Sequence, residues 1–434
     1  MSYPSFTQRT QALHPEHAGP KGPRLRILHL IATLDPKAGG PVNSVRRIVG
    51  SYPQVNSQGE VLTLDAPDAP FLRETGLTVH PLGPVGTKFG YTPRLIPWLI
   101  ANRDRFDGVV VHGLWQYLGY AVHRTIAPHK PYMVFTHGML DPYFKRARPF
   151  KHLKKTVYWW LNEYWVLRHA HGVLFTSNGE AKLAIESFWP WRWNPRVVPY
   201  GASPCPGEPA QLRQAFLDRH PALRTPDGNA RPFVLFLSRI HPKKGCDLLV
   251  DAFARIAAQV PDLQLVFAGP DSLGLETGLA QQARNAGLSH RVHFPGMLEG
   301  DQKWGAFCAC QVFALPSHQE NFGIAVAEAM ACAKPVLLSD KVNIWEDIVA
   351  AGAGLSAPDD AAGTLSTLTR WIALDAQQQQ AMGDRALACF NQRYDMRANA
   401  LGILRIFSEI TAPRPNPTPK PTEDQGQDAT AISR

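Results

Sequence analysis

Two carboxylates, Glu320 and Glu328, bracket the run Glu320-Asn321-Phe322-Gly323-Ile324-Ala325-Val326-Ala327-Glu328. The apolar residues before it, Val312–Leu315, predict a strand, and those after Gly323 predict a helix with Asn321 as N-cap. The free N–H groups of Phe322, Gly323 and Ile324 would then carry the positive end of the helix dipole toward an anionic or hydroxyl-rich ligand. Glu328 stands among Ile324, Ala325, Val326, Ala327, Ala329 and Met330, where a carboxylate must find donors or be very costly. Ribose hydroxyls would serve. Glu320, on the loop, is placed to hold sugar hydroxyls. The plainer reading makes Glu328 a partner of solvent or an arginine, and Glu320 a surface residue.

Arg239 and Lys244 lie in Leu237-Ser238-Arg239-Ile240-His241-Pro242-Lys243-Lys244-Gly245, between an apolar strand and the next helix. Cations aimed at a diphosphate leaving group stabilise its departure, Arg as a planar fork and Lys as a point charge. Gly39-Gly40-Pro41 opens a helix after the first strand, and paired glycines let backbone approach a phosphate. His112 and His137 follow strands of the same half and should reach a cleft, although a strand-end histidine is often structural. No D-x-D triplet occurs. That points away from a metal-bridged diphosphate, so no metal and no cofactor are expected.

These side chains need a frame. A chain of 434 residues, 44% apolar and 19% charged, has globular composition and exceeds one ordinary core. Apolar runs at Leu25–Ile31, Val61–Leu64, Val109–Val111, Tyr132–Thr136, Gly172–Thr176 and Val197–Pro199 alternate with helical patterns. A second series follows: Phe233–Leu237, Leu263–Ala268, Val292–Phe294, Val312–Leu315 and Val336–Leu338. The alternation predicts an α/β protein of two doubly wound parallel-sheet, Rossmann-like domains, with loops at the strands' carboxyl ends facing an interdomain cleft. The expected divisions are a disordered 1–23, a first Rossmann-like domain over 24–200 and a second over 201–394. A helix over 395–411 should pack back on the first domain, and a Pro-rich disordered tail spans 412–434.

Taken together, these features resemble glycosyltransferase family four, over about Leu25 to Ile410. The resemblance implies a GT-B fold and retaining transfer of a sugar from a nucleotide-diphosphate sugar. It would give Arg239 and Lys244 the diphosphate, Glu328 the ribose, and Glu320 the donor-sugar hydroxyls, with backbone contacts from Asn321, Phe322 and Gly323. Gly39 and Gly40 would cover the diphosphate, His137 would contact the sugar, and Gly296, Met297 and Leu298 would surround the base. His112-Gly113-Leu114-Trp115 and Thr136-His137-Gly138 are similar to exopolysaccharide-assembly members, which places His112 and Trp115 on the acceptor side and implies a glycan or lipid-linked acceptor. Alternatives are an epimerase or phosphorylase of the same fold, or a protein that binds a nucleotide sugar without turning it over. A plain NAD dehydrogenase is disfavoured by the lack of G-x-G-x-x-G.

The net charge of +9 fits an acidic small ligand or an anionic surface, and no nucleic-acid module accompanies it. Much of it falls in 143–168, where Lys151, Lys154, Lys155 and Arg168 interleave with Phe150, Trp159, Trp160 and Trp165. Such a helix can lie on an anionic membrane; equally, its aromatics can be core and its cations a solvated face. No apolar run reaches the roughly 18 to 20 residues of a spanning helix, and the residues from Met1 to Arg26 lack the apolar stretch expected of a signal peptide. The six cysteines show no C-x-x-C pair and no metal-ligand spacing, so they read as free thiols in a reduced, cytoplasmic setting.

Overall fold

The computed structural model describes residues 24–142, 145 and 149–411. The expectations for 1–23 and 412–434, and for 143, 144 and 146–148 of the basic segment, fall outside the described residues.

The first sheet joins β1 (Arg26–Leu30), β2 (Gln58–Thr63), β3 (Thr78–Pro81), β4 (Gly108–His112), β5 (Tyr132–Phe135), β6 (Gly172–Phe175) and β7 (Pro195–Val197) in the order β3-β2-β1-β4-β5-β6-β7. The second joins β8 (Phe233–Leu237), β9 (Gln264–Ala268), β10 (Val292–Gly296), β11 (Val312–Leu315), β12 (Val336–Ser339) and β13 (Gly354–Ala357) in the order β10-β9-β8-β11-β12-β13. Every pairing is parallel. Central strands such as β4, β5 and β11 are buried throughout, because helices cover both faces and leave no polar side.

Edge positions explain the strands that sequence patterning misses. β3 and β13 each pair on one side only and are part-exposed, so Thr78-Val79-His80-Pro81 and Gly354-Leu355-Ser356-Ala357 never form an apolar run. β7 lies two residues before its expected position for the same reason. The basic segment within 143–168, read above as a helix, instead runs as Pro149–Tyr158, a π turn at Trp159–Glu163, and Tyr164–His169. The crossing after Tyr200 carries a further helix, Pro209–Arg219, packed against Gly300–Ala309.

Strand order reverses between β1 and β4 in one sheet and between β8 and β11 in the other. Loops diverge at these points and leave a crevice at the carboxyl ends. Gly39, His112 and Trp115 flank the first switch point; Arg239, Lys244 and Glu320 flank the second.

The closing helix, Met396–Thr411, returns to the first half. Arg397 donates to Gln54 at 2.9 Å, and Phe407 is fully buried among core residues of both halves. Gly108 makes that approach possible, since a Cβ there would stand 2.2 Å from the Phe407 ring. We expect Gly108→Ala to cost about 1–3 kcal/mol by overpacking. In denaturant titrations, Phe407→Leu should cost less in the Gly108→Ala background than in the wild type; equal costs would mean that the ring and the glycine are not coupled.

Candidate functional site

The loop after β8 is pressed onto the loop after β11. Pro242–Lys244 forms a 3₁₀ turn whose start is capped by His241, which accepts from the Lys243 N–H at 3.1 Å. Gly245 ends it at φ 63°, where a Cβ would meet the Pro316 carbonyl oxygen at 2.2 Å. Glycine satisfies both conditions at once. The His318 N–H donates to the Lys243 carbonyl at 2.8 Å. The result is a contact between residues 76 apart: the Lys244 ammonium donates to the Glu320 carboxylate, with Lys244 8% exposed. The cation and the carboxylate that sequence analysis assigned to different parts of a ligand are therefore partners here. Arg239 is exposed at the end of β8 and makes no ion pair among the described residues.

Glu328 is buried at 4% exposure and receives a hydrogen bond from Lys303 at 2.8 Å. Its required donor is thus a lysine on Gly300–Ala309, a residue that no sequence motif announces. Asn321 is not the N-cap. Gly323 takes that position at φ 78° with no side-chain cap, and the helix runs Ile324–Ala331. Asn321 instead donates to Thr176 Oγ1 at 3.4 Å in the other half and accepts from Asn343 at 3.3 Å. No acceptor among the described residues meets the N–H groups of Phe322, Gly323 or Ile324. Met297 is exposed, Leu298 is half-buried, and the Gly296 carbonyl accepts from the Gly269 N–H at 2.8 Å. Gly39 precedes the helix Gly40–Ser51, and a Cβ on either glycine would meet nothing within 4 Å.

The halves touch at the same edge. Gln319 donates to Asp141 at 2.7 Å, and Gly138 lies against the Asn321 side chain. A groove of about 1010 Å³ lies alongside, lined by Asp141 and Glu186 of the first half and by His241, Lys243, Gln319 and Asn343 of the second. It borders the Lys244–Glu320 pair through its neighbours Lys243 and Gln319, and holds neither member.

In the first half, His112 does not reach open space. It is 2% exposed, and its ring nitrogens hydrogen-bond His29 at 2.8 Å and His137 at 2.9 Å. The line continues to Tyr52, 2.9 Å from His29, and to the Tyr200 hydroxyl on His137. With all three rings neutral, each donates once and accepts once, so the proton order runs one way along the line. Burial holds His29 and His137 down at about 3 and His112 well below the usual histidine range. Both His137 ring nitrogens are engaged, so contacting a sugar through the ring would mean giving up one bond. His137 itself sits at φ 51°. Glu180 holds its loop by accepting from Thr136 Oγ1 at 2.9 Å and Gly138 N–H at 2.8 Å, and from Thr176 N–H and Oγ1 at 2.7 and 2.6 Å. Sequence analysis missed His29, although a lone histidine in Ile27-Leu28-His29-Leu30 was visible. It also missed Glu180, whose Ser177-x-x-Glu180 spacing signals only a helix start.

Trp115 has φ 70°, a main-chain N–H bound to Glu163 at 3.2 Å and a buried indole N–H without an acceptor among the described residues. Lys155 lies 4.4 Å above its ring. Burial raises the Glu163 carboxyl to about 7.

The depressed histidines link stability to pH. The unfolded chain binds protons below about 6.5 that the folded state refuses, so the stabilisation is complete above that pH and declines as pH falls toward 3. His112→Phe should lower Tm by about 5 °C at neutral pH. It should also make the loss of Tm between pH 6.5 and 4 shallower than in the wild type; parallel curves would show that the line does not titrate as described.

Comparison with known proteins bears on the whole arrangement. The family described as Glycosyl transferases group 1 matches residues 224–388, and the one described as Glycosyl transferase 4-like domain matches residues 39–201. The D-inositol 3-phosphate glycosyltransferase of Mycolicibacterium gilvum is 36% identical over 135 residues, 30% of this chain and 28% of the relative. That of Nocardia farcinica is 28% identical over 256 residues, 57% of this chain and 54% of the relative. The chain thus spans about half or less of the length of these curated relatives. Among solved structures, Anabaena Alr3699/HepE in complex with UDP and glucose superposes with a TM-score of 0.64 at 20% identity, covering 89% of this chain and 100% of that one. A glycosyltransferase from Rickettsia africae gives 0.69 at 15% identity, covering 89% and 98%. At such identity these superpositions speak for the fold, which is GT-B. With one family match on each half and a shared two-sheet architecture, the chain belongs to the group 1 glycosyltransferases of family four.

Proposed function

We propose that this chain is a retaining, metal-independent glycosyltransferase that moves a sugar from a nucleotide-diphosphate sugar to a glycan or lipid-linked acceptor in cell-surface or exopolysaccharide assembly. The observation that carries the reading is the Lys244–Glu320 ion pair at the switch point of the second sheet, beside the contact with the first. A diphosphate competes with Glu320 for Lys244. Once displaced, the carboxylate is free to accept from donor-sugar hydroxyls, so one binding event creates both subsites. Arg239 adds an unpaired cation, and the amides of Phe322, Gly323 and Ile324 add donors that need no reorganisation. Glu328, held by Lys303, orients on the ribose; Gly39 and Gly40 close over the diphosphate. The sugar–phosphate bond breaks through an oxocarbenium-like transition state. The acceptor hydroxyl enters on the face the diphosphate leaves, and a donor phosphate oxygen takes its proton. Trp115, with its spare indole N–H, and His112, acting through His137, belong to the acceptor side.

UDP-sugars are the first donors to screen, against GDP- and ADP-sugars, because the Anabaena neighbour was crystallised with UDP. Lys244→Ala and Arg239→Ala should each lower kcat by about 10²-fold. Turnover should persist in excess EDTA. Wild-type kinetics in both variants would refute the diphosphate assignment, and loss of turnover in EDTA restored by Mg²⁺ would refute metal independence. A protein that only binds the donor would show no slow donor hydrolysis.

The acceptor reading draws support from the helical segment Pro149–His169. Its apolar residues divide by face: Trp159, Val166 and Leu167 are buried, while Phe150, Leu153, Val157, Trp160, Leu161 and Trp165 are exposed, Phe150 at 87% and Leu161 at 76%. The spacing of the exposed set follows one helical stripe, with exposed Lys151, Lys154 and Arg168 beside it. A soluble face of that kind would be wasteful, whereas an anionic bilayer matches both its apolar stripe and its charge. No helix among the described residues is long and apolar enough to cross a membrane. On this reading the chain works at the cytoplasmic face of the membrane. Leu161→Asp combined with Phe150→Ser should reduce flotation with anionic liposomes several-fold while leaving donor hydrolysis in solution unchanged; undiminished flotation would remove the membrane from the proposal.

A further inference from the structure

Three cysteines far apart in sequence meet in space. Cys205 lies on the crossing between the halves, Cys308 on the helix Gly300–Ala309, and Cys332 caps the end of Ile324–Ala331. Cys205 Sγ is 3.7 Å from Cys308 Sγ, Cys308 Sγ is 3.9 Å from Cys332 Sγ, and all three sulfurs lie within 4.8 Å of one another. Cys308 is buried, whereas Cys205 and Cys332 are part-exposed. The other thiols do not join them: Cys246, Cys310 and Cys389 are buried outside the triad.

These separations match a defined coordination chemistry. Sulfurs bound to one tetrahedral zinc at about 2.3 Å are separated by about 3.8 Å, which is the spacing of two of the three pairs here. Three polarisable sulfurs from three elements converge at that spacing, two of them on part-exposed residues. Thiolates are soft ligands that select zinc(II) and copper(I) over magnesium and calcium.

We propose that Cys205, Cys308 and Cys332 form a binding site for one thiophilic cation, with zinc(II) as its representative. Binding replaces three S–H bonds with three Zn–S bonds and releases three protons. Water keeps the fourth position on the part-exposed side. The site then carries one net negative charge, which the nearby Lys334 offsets. Affinity rises with pH because protons leave.

The placement gives the cation a structural role. Cys308 is five residues after Lys303 and Cys332 four after Glu328, so one ion fastens the interdomain crossing to both helices of the Lys303–Glu328 pair. That it steadies a ribose subsite rests on the functional reading above; that it binds the cation does not. The cation touches none of the groups assigned to the donor, so the two proposals fail separately.

The test uses the full chain, reduced and freed of metal. Zinc(II) should bind one per chain and survive gel filtration, shield three of the six thiols from a thiol reagent, and raise Tm. Cobalt(II) in its place should give a sulfur-to-metal charge-transfer band. Cys205→Ser, at a part-exposed position, should keep the wild-type circular dichroism, weaken zinc binding by about 10²-fold and remove the Tm shift. Cys389→Ser should bind like the wild type. A chain that retains no zinc would overturn the site, as would equal affinity in the wild type and in Cys205→Ser and Cys332→Ser.

Discussion

Lys244 and Glu320 neutralise each other at the contact of two loops, where Lys244 is nearly withdrawn from water. A lysine 8% exposed to water pays a desolvation cost, and the carboxylate beside it returns that cost only because the two loops lie close enough to touch. Gly245 sets that closeness, since any side chain there would collide with the Pro316 carbonyl. The pair therefore depends both on the pairing of β8 with β11 and on a loop glycine that lets the two loops touch. An anion that enters this crevice finds a cation already held in position and a carboxylate ready to move. Preorganisation of that kind spares the reorganisation that water would impose.

The first half solves the same problem without a cation. It carries neutral groups, three histidines and two tyrosines, joined in one hydrogen-bonded line from Tyr52 to Tyr200. Their neutrality is enforced by burial, and their hydrogen bonds make burial affordable. Glu180 anchors the loop that ends the line, and Thr176, one of its partners, also receives Asn321 from the second half. Contact between the halves thus reaches the histidine line through one carboxylate.

Continuity of the core explains why the two sheets keep their edges opposed. The larger apolar cluster extends from Phe233 and Phe313 in the second half to Ile27, Val110 and Phe135 in the first, by way of Tyr200, Phe322, Tyr394 and Phe407. The closing helix completes that cluster from the far end of the chain.

Much of this was legible in the sequence by itself. Apolar runs at central strands marked both parallel sheets, because a strand covered on both faces must be apolar throughout. Parallel strands send every loop after a strand to one edge, so Gly39, His137, Arg239, Lys244 and Glu320 are assignable to that edge from the sequence. Edge strands escaped notice because a half-covered strand need not be apolar. What the tertiary structure decided was partnership. Glu328 needed a donor, and only folding identified Lys303; His112 seemed poised for the cleft, and only folding set it between His29 and His137; Asn321 looked like a helix cap, and folding turned it toward Thr176. Three cysteines without a recognisable spacing became neighbours. The physical reason is common to all four cases. Period and spacing report which face of its own element a residue occupies, while pairing depends on distances between elements, set by packing among residues 24 to 145 positions apart.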